Sequence, residues 1–274
     1  GLVTRIIAEK NRPRCDLFWN NEILHTLRLK QMGLLDTYAS PTGAQLPDNY
    51  RASDGSWYGF AARARVLIVN TELVAEDRMP QSVLERADPK WKGRVGLAKP
   101  LFGTTATHAA VLFAEWGTDR AQQFFRDLKQ NARILSGNKQ VALAVGRGEL
   151  AFGLTDTDDA IIEVEKGQPA RIVYPDQQPG GMGTLFIPNT LCLLKGSPHP
   201  AEARRLLDYL LSAEVETRLA EGRSAQFPVN PVVKTTSRAA PPDETRWMQV
   251  DFAAAAQQWP AAADFLRDLF ATPQ

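Results

Sequence analysis

A short apolar strand that runs straight into a cluster of acids is the strongest constraint in this chain. Residues 151–159 read AFGLTDTDD, so the strand Ala151–Leu154 is followed by three carboxylates, those of Asp156, Asp158 and Asp159. In open α/β folds, ligands bind at the carboxyl edge of the sheet, where such strand ends meet. An Asp or Thr at this place also caps the N-terminus of a following helix. The segment therefore predicts either a ligand site or a plain helix cap.

Two earlier strand ends carry the same kind of small polar side chain. Thr104 and Thr105 stand at the start of the predicted helix Ala106–Trp116, and Ser136 and Asn138 open the next predicted helix. The N–H groups and the positive dipole end at a helix start suit an anion. A cap and turn explains one such strand end equally well. Three in succession are better explained by a shared ligand cleft.

Strand-like and helical segments alternate along the chain, which is the pattern of an α/β fold. Cys15–Trp19 is a strand-like run with a polar end, and the helical pattern Ile23–Gly33 follows it. Prolines predict interruptions in two later segments. Pro188 falls within a strand-like run, which predicts an edge or crossing segment there. Pro260 falls within the helical tail, which predicts a break.

The longest strand-like segment, Trp57–Asn70, carries two guanidinium groups. Arg63 and Arg65 are two residues apart and share a face if the chain is extended. A solvent-facing pair on an edge strand is one interpretation. The other is a pair that faces an anion at a cleft, since the arginine fork matches carboxylate and phosphate oxygens.

Composition excludes several classes of protein. The 274 residues include 32 Lys and Arg against 31 Asp and Glu, so the overall charge does not indicate a nucleic-acid partner or an anionic membrane. No run approaches the roughly 18 apolar residues that a membrane span needs. Cys15 and Cys192 lack metal-ligand spacing, which leaves buried free thiols or a disulfide across neighbouring strands.

Catalytic motifs are sparse. The histidines are His25, His108 and His199, and none has the sequence context of a catalytic triad or a zinc site. The loop before Ala106 lacks the Gly-Lys-Ser/Thr of a phosphate-binding loop. Asp156-Thr157-Asp158 has the Asp-x-Asp form with which glycosyltransferases hold a divalent metal, because hard cations prefer carboxylate oxygens. A metal-dependent glycosyltransferase using Asp156 and Asp158 is therefore the alternative function.

The beginning of the chain is abrupt. Residues 1–9 already have the pattern of an amphipathic helix, and no strand or capping residue precedes them. We expect that an N-terminal segment is missing or was trimmed, so the absence of a signal peptide says little about location.

Six segments together carry a resemblance to a known family. They are Cys15–Trp19, Trp57–Asn70 with its Arg63-Ala64-Arg65-Val66, Trp91–Val95, Gly148–Asp156, Gly196–Pro200 and Phe227–Asn230. As a set, in this order, they resemble the periplasmic solute-binding proteins of ABC importers. The similar branch is that of the ferric-iron-binding and 2-aminoethylphosphonate-binding proteins. The resemblance extends from about residue 2 to residue 235.

The resemblance implies an α/β fold of the two-lobed periplasmic-binding-protein type (class II), whose lobes are joined by crossing strands. The expected crossings are Val66–Asn70 and Phe186–Asn189. Lobe 1 would comprise residues 1–66 and 187–235, without its first strand and helix, and lobe 2 would comprise residues 67–186 and 236–274. The protein would be periplasmic or otherwise exported, and not an enzyme. Its partners would be the ligand and the importer permease, with no nucleic acid and no other contact with the membrane.

One departure from the family pattern bears on the ligand. In the ferric-binding members this strand ends in Asn-x-Tyr-Tyr, and both phenolates bind iron. The matching positions here are 156–159, which hold no tyrosine, so that mode of iron binding cannot be transferred. The candidate ligand residues are Asp156, Asp158, Asp159, Thr104, Thr105, Ser136, Asn138, Arg63, Asn21 and Glu22.

The charge of the site predicts the class of ligand. Three close carboxylates repel one another, and one of them would hold its proton unless a cation lay nearby. We therefore expect a small anionic or zwitterionic solute, such as a phosphonate with an ammonium group, or a ferric ion with a synergistic anion. Asp158 and Asp159 are metal ligands only if the ligand is a metal. No other cofactor is expected.

Overall fold

The computed structural model of the protein describes residues 1–271. The helices are α1 (Leu2–Ala8), α2 (Leu24–Gln31), α3 (Gly103–Trp116), α4 (Thr118–Asn131), α5 (Asn138–Gly146), α6 (Thr157–Glu165), α7 (Pro200–Leu210), α8 (Ala213–Glu221) and α9 (Phe252–Ala271). The strands are β1 (Leu17–Asn20), β2 (Tyr58–Asn70), β3 (Val95–Ala98), β4 (Ala132–Leu135), β5 (Phe152–Asp156), β6 (Ala170–Val173) and β7 (Phe186–Leu193). Short 3-10 helices cover Gly43–Gln45, Asp48–Tyr50, Glu76–Arg78, Val83–Ala87 and Pro89–Trp91. Across residues 1–271, every helix is too short or too polar to span a bilayer.

The chain forms two compact units. Unit 1 consists of Gly1–Arg63 and Ile187–Ala240, and unit 2 consists of Ala64–Phe186 and the chain from Pro241 onward. Strand β2 therefore begins in unit 1 and ends in unit 2. The lobe boundaries that the resemblance implies, 1–66 with 187–235 and 67–186 with 236–274, stay a prediction.

In unit 1, a pair of antiparallel strands supports the helices. Strand β1 pairs with β7, with Leu17 opposite Leu193 and Asn20 opposite Thr190. Helix α2 follows β1 directly and buries Leu24, Leu27 and Leu29 on one face. Cys15 and Cys192 both belong to this unit and are free thiols, so they do not form the disulfide that the sequence left open.

The sheet of unit 2 has the strand order β4-β3-β5-β2, and β6 also pairs with β2. Strand β3 runs parallel to β4 and to β5, whereas β2 is antiparallel to β5 and to β6. The carboxyl ends of β3, β4 and β5 consequently meet at one edge of the sheet. Helices α3, α5 and α6 begin at this edge, because each follows one of these three strands.

Two glycines let helix α5 lie close to the sheet. Gly96 of β3 and Gly153 of β5 are neighbours in register. A Cβ atom on Gly153 would lie 2.4 Å from Cγ1 of Val141 on α5, and one on Gly96 would lie 3.1 Å from the same atom. Larger residues would push α5 outward. The glycines thus allow the start of α5 to approach the end of β5.

The two prolines have different outcomes. Strand β7 continues through Pro188, which lies next to the point where the chain passes from unit 2 to unit 1, and the predicted crossing segment there stays a prediction. The predicted break at Pro260 is wrong, because helix α9 contains Pro260 in its interior. In α9 the reason is packing: the helix lies against α3 and α4 and buries Ala256, Trp259 and Leu266. An internal proline costs a helix roughly 3 kcal/mol. Burial of a whole apolar face outweighs that local cost.

Candidate functional site

Three helix N-termini surround the end of β5. The residues before α3, α5 and α6 are Phe102, Gly137 and Asp156, and none of these accepts a side-chain capping hydrogen bond. The first four N–H groups of a helix have no partner within the helix. They also form the positive end of its dipole. This edge of the sheet is therefore electropositive before its side chains are counted.

The carboxylate of Asp156 is enclosed by donors from three elements. Its Oδ1 accepts a hydrogen bond from Nη1 of Arg65 at 2.6 Å. Its Oδ2 accepts from Oγ1 of Thr104 at 2.6 Å and from Nδ2 of Asn138 at 2.9 Å. Asp156 and Arg65 lie opposite each other in the β2–β5 register and are buried. Asp156 is thus neutralised by Arg65, and both of its oxygens are engaged.

The same donors and acceptors also join one another. Arg65 donates from Nη1 to Oγ1 of Thr104 at 3.2 Å and from Nη2 to Oγ1 of Thr105 at 3.3 Å. Thr105 donates in turn to Oδ1 of Asn138 at 2.9 Å, and Asn138 donates to Thr104 at 2.9 Å. This closed network ties the starts of α3 and α5 to β2 and β5. We call it the Arg65–Asp156 network.

The remaining two acids lie at the start of α6. Asp158 and Asp159 are half-buried and occupy its first turn. One carboxylate oxygen each from Asp156, Asp158 and Asp159 lie within 4.8 Å of one another, a spacing that suits a metal ion. Aspartates in the first turn of a helix also stabilise it by themselves. Asp156 is buried and paired with Arg65, whereas Asp158 and Asp159 are only half-buried, so a ligand could reach their carboxylates.

The structure brings some predicted residues together and leaves others apart. Asp156, Thr104, Thr105 and Asn138 share the Arg65–Asp156 network, with Asp158 and Asp159 beside it. Ser136 is exposed, and no hydrogen bond joins its side chain to the network within the described chain. The other three predicted residues, Arg63, Asn21 and Glu22, belong to unit 1.

In unit 1, these three residues surround the end of β1. Arg63 is buried and donates from Nη1 to the carbonyl oxygen of Asn21 at 2.8 Å. The carboxylate of Glu22 accepts from Nδ2 of Asn20 at 2.6 Å and from the backbone N–H of His25 at 3.2 Å. Glu22 thus caps the start of α2. The side chain of Asn21 is exposed.

Arg65 is the residue that sequence reasoning left out of the candidate set. Both arginines of the pair are buried, so neither is the solvent-facing residue of an edge strand. Their contacts differ: Arg63 holds Asn21, whereas Arg65 holds Asp156. A sequence signal existed, since Arg65 is an unusual charge in an apolar strand. Only the register of β2 against β5 identifies its partner.

A buried histidine lies next to the network on α3. His108 is 4% exposed, and its Nδ1 has no hydrogen-bond partner among residues 1–271. Burial, followed by the positive charges of Arg65 and Arg86, holds the pKa of His108 well below its usual range. Burial also lowers the pKa of Arg86, to about 9. His108 is therefore neutral in the folded protein near pH 7.

We expect the neutral state of His108 to make folding sensitive to acid. Below the ordinary histidine pKa of 6.5, the unfolded chain takes up a proton at His108 that the folded chain refuses. The free energy of unfolding should then fall with decreasing pH, by up to ~1.4 kcal/mol per pH unit. Urea unfolding of wild type and of His108→Gln between pH 7 and pH 5 measures this. Parallel pH profiles for the two proteins would contradict the assignment.

Comparison with known proteins assigns the chain to a family. Residues 22–256 match the family of bacterial extracellular solute-binding proteins. The chain belongs to that family. The solute-binding family consists of binding proteins, so the resemblance seen in the sequence is confirmed. The glycosyltransferase alternative has no support in these comparisons.

Individual relatives of this chain are also binding proteins by name. The major ferric iron-binding protein of Neisseria meningitidis serogroup A is 26% identical over 247 residues, which are 88% of this chain and 73% of the relative. A putative 2-aminoethylphosphonate-binding periplasmic protein of Salmonella typhimurium is 24% identical over 226 residues, which are 80% of this chain and 64% of that protein. Iron-bound HitA from Pseudomonas aeruginosa superposes with a TM-score of 0.86 at 26% identity, covering 98% of this chain and 87% of HitA. The predicted two-lobed α/β fold is confirmed.

Proposed function

We propose that this protein is the solute receptor of an ABC importer and acts outside the cytoplasmic membrane. It would capture a ligand with a positively charged centre at the acidic pair Asp158 and Asp159, and it would deliver that ligand to the importer permease. The names of two relatives, a major ferric iron-binding protein and a putative 2-aminoethylphosphonate-binding periplasmic protein, support this class of function. Arg63, Asn21 and Glu22 remain candidate ligand residues.

The observation that carries the proposal is the cluster of three acids, in which Asp158 and Asp159 are less buried than Asp156. Asp156 has an internal cation in Arg65. Asp158 and Asp159 have carboxylate oxygens within 4.8 Å of Asp156 and of each other, and their side chains are only half-buried. Such a pair is stabilised by a hard metal ion, which prefers oxygen ligands, or by an ammonium group.

The helix starts beside this pair suit the anionic part of the ligand. The side chains of Thr104, Thr105 and Asn138 are engaged in the Arg65–Asp156 network. The backbone N–H groups at the starts of α3 and α5 are therefore the donors best suited to an anion. A phosphonate group there, with its ammonium on the acids, fits the charges. A ferric ion on the acids, with a separate anion at the helix starts, fits them as well.

Calorimetric titration with two probes tests the proposal. Ferric citrate and 2-aminoethylphosphonate are added separately to the purified protein, and we expect one of them to bind with one site per chain. The matched control is Asp119→Ala, because Asp119 also occupies the first turn of a helix, α4, away from the site. This variant should bind like the wild type. Absence of heat with both probes would refute the proposed ligand class.

A further inference from the structure

Glu216 is a buried acid in unit 1 that the proposed ligand site does not use. It lies on α8 and is 1% exposed, and no ion pair to it exists among residues 1–271. Its carboxylate instead accepts three backbone hydrogen bonds, from the N–H groups of Ala61, Val229 (3.2 Å) and Asn230 (2.7 Å). Burial raises the pKa of Glu216, against the lowering effect of these donors. Burying a carboxylate costs free energy unless it is paired or hydrogen-bonded, and at Glu216 backbone N–H groups take the place of a cation.

The residue that Glu216 holds has an unusual backbone. Ala61 lies within β2, is fully buried and has a φ of +40°. Residues other than glycine rarely adopt a positive φ, and they keep it only where the surroundings enforce it. Here both polar groups of the residue are held. Its N–H donates to Glu216, and its carbonyl accepts from Nδ2 of Asn189.

Asn189 extends this contact to the candidate ligand residues. Its Oδ1 accepts from Nη2 of Arg63 at 3.3 Å, and Nη1 of Arg63 donates to the carbonyl of Asn21 at 2.8 Å. A continuous chain of hydrogen bonds therefore runs from Glu216 through Ala61, Asn189 and Arg63 to Asn21. All five residues belong to unit 1.

We propose that Glu216 is a positioning residue for ligand binding: by fixing the backbone conformation of β2 at Ala61, it sets Asn189 and Arg63 and thereby holds Asn21 in its binding orientation. Glu216 itself would not touch the ligand. The inference rests on the proposed function, because Arg63 and Asn21 are candidate ligand residues there. How rigidly the guanidinium group of Arg63 is held can be measured without any ligand.

The test combines a spectroscopic and a binding measurement on Glu216→Ala, Asn189→Ala and the double variant. The NMR signal of the Arg63 guanidinium N–H groups is assigned by its loss in Arg63→Lys. This signal should be sharp in the wild type and should disappear in both single variants. Affinity for whichever of ferric citrate or 2-aminoethylphosphonate binds the wild type should fall about tenfold in each single variant. The double variant should lose no more than either, since coupled residues are not additive.

Two further variants keep the result interpretable. Glu214→Ala, on the same helix but exposed, is the matched control and should leave both readouts unchanged. If Glu216→Ala does not fold, Glu216→Gln replaces it. The glutamine has a single amide oxygen, which can accept from only some of the three backbone N–H groups. Glu216→Gln should therefore weaken the Arg63 signal without abolishing it. An Arg63 signal unchanged in Glu216→Gln or Glu216→Ala would overturn the inference. If neither probe binds the wild type, the proposed ligand class fails, and the Arg63 signal still decides the role of Glu216.

Discussion

Replacing Asp158 and Asp159 together with alanine is expected to abolish ligand binding while the protein stays folded. Each carboxylate would contribute a charge-assisted contact of roughly 1.5–3 kcal/mol, so the loss of both should raise Kd at least about 100-fold. The effect on folding should be small, because an acid in the first turn of a helix contributes only about 0.3–1 kcal/mol. Calorimetric titration measures the first quantity, and urea unfolding measures the second.

The control for this double variant is again Asp119→Ala, which removes a first-turn acid from α4. It should reproduce the small loss of stability for one such acid without any loss of affinity. Unchanged affinity in the Asp158→Ala/Asp159→Ala protein would mean that these residues are only helix-stabilising acids, the plain alternative that the sequence left open.

Breaking the buried ion pair is expected to have the largest effect on stability. Arg65 is fully buried and Asp156 nearly so, with 2.6 Å between Nη1 and Oδ1. Arg65→Met leaves the Asp156 carboxylate buried without its cation, which should lower the free energy of unfolding by about 3–5 kcal/mol. Urea unfolding monitored by circular dichroism measures this loss.

The double variant Arg65→Met/Asp156→Asn separates charge from packing. It removes both charges and keeps an amide that can pair with Thr104 and Asn138, so it should be more stable than Arg65→Met alone. A loss below about 1 kcal/mol for Arg65→Met, the value typical of a surface pair, would contradict a structural role for the network.

Much of the sheet edge could be predicted from the sequence. The alternation of strands and helices indicated an α/β fold, and the polar residues after β3, β4 and β5 indicated one common edge. The prediction of a common edge succeeded because parallel strands place their carboxyl ends at the same edge of a sheet. Thr104, Asn138 and Asp156, far apart in the chain, are indeed hydrogen-bonded to one another.

The partner of each arginine could not be predicted. Arg63 and Arg65 look alike in the sequence, and their roles follow from long-range pairings: β2 against β5 for Arg65, and the contact with Asn21 for Arg63. A shift of one residue in strand register reverses which side chains face the partner. No local pattern encodes such a register.

The role of Glu216 and the continuity of α9 escaped prediction for a related reason. A glutamate in an amphipathic helix has the pattern of a solvent-facing residue, and only the fold brings the N–H groups of Ala61, Val229 and Asn230 to it. Pro260 was expected to break the helical tail, and that was wrong, because packing against α3 and α4 outweighs the local preference.

Native mass spectrometry with elemental analysis tests the central claim most directly. Wild type and Asp158→Ala/Asp159→Ala are incubated in parallel with ferric citrate and with 2-aminoethylphosphonate, then freed of unbound ligand. We predict that the wild type carries one ligand per chain, seen as added mass or as stoichiometric iron, and that the variant carries none. Equal loading of the two proteins, or no loading of either, would contradict a solute receptor that binds through these two acids.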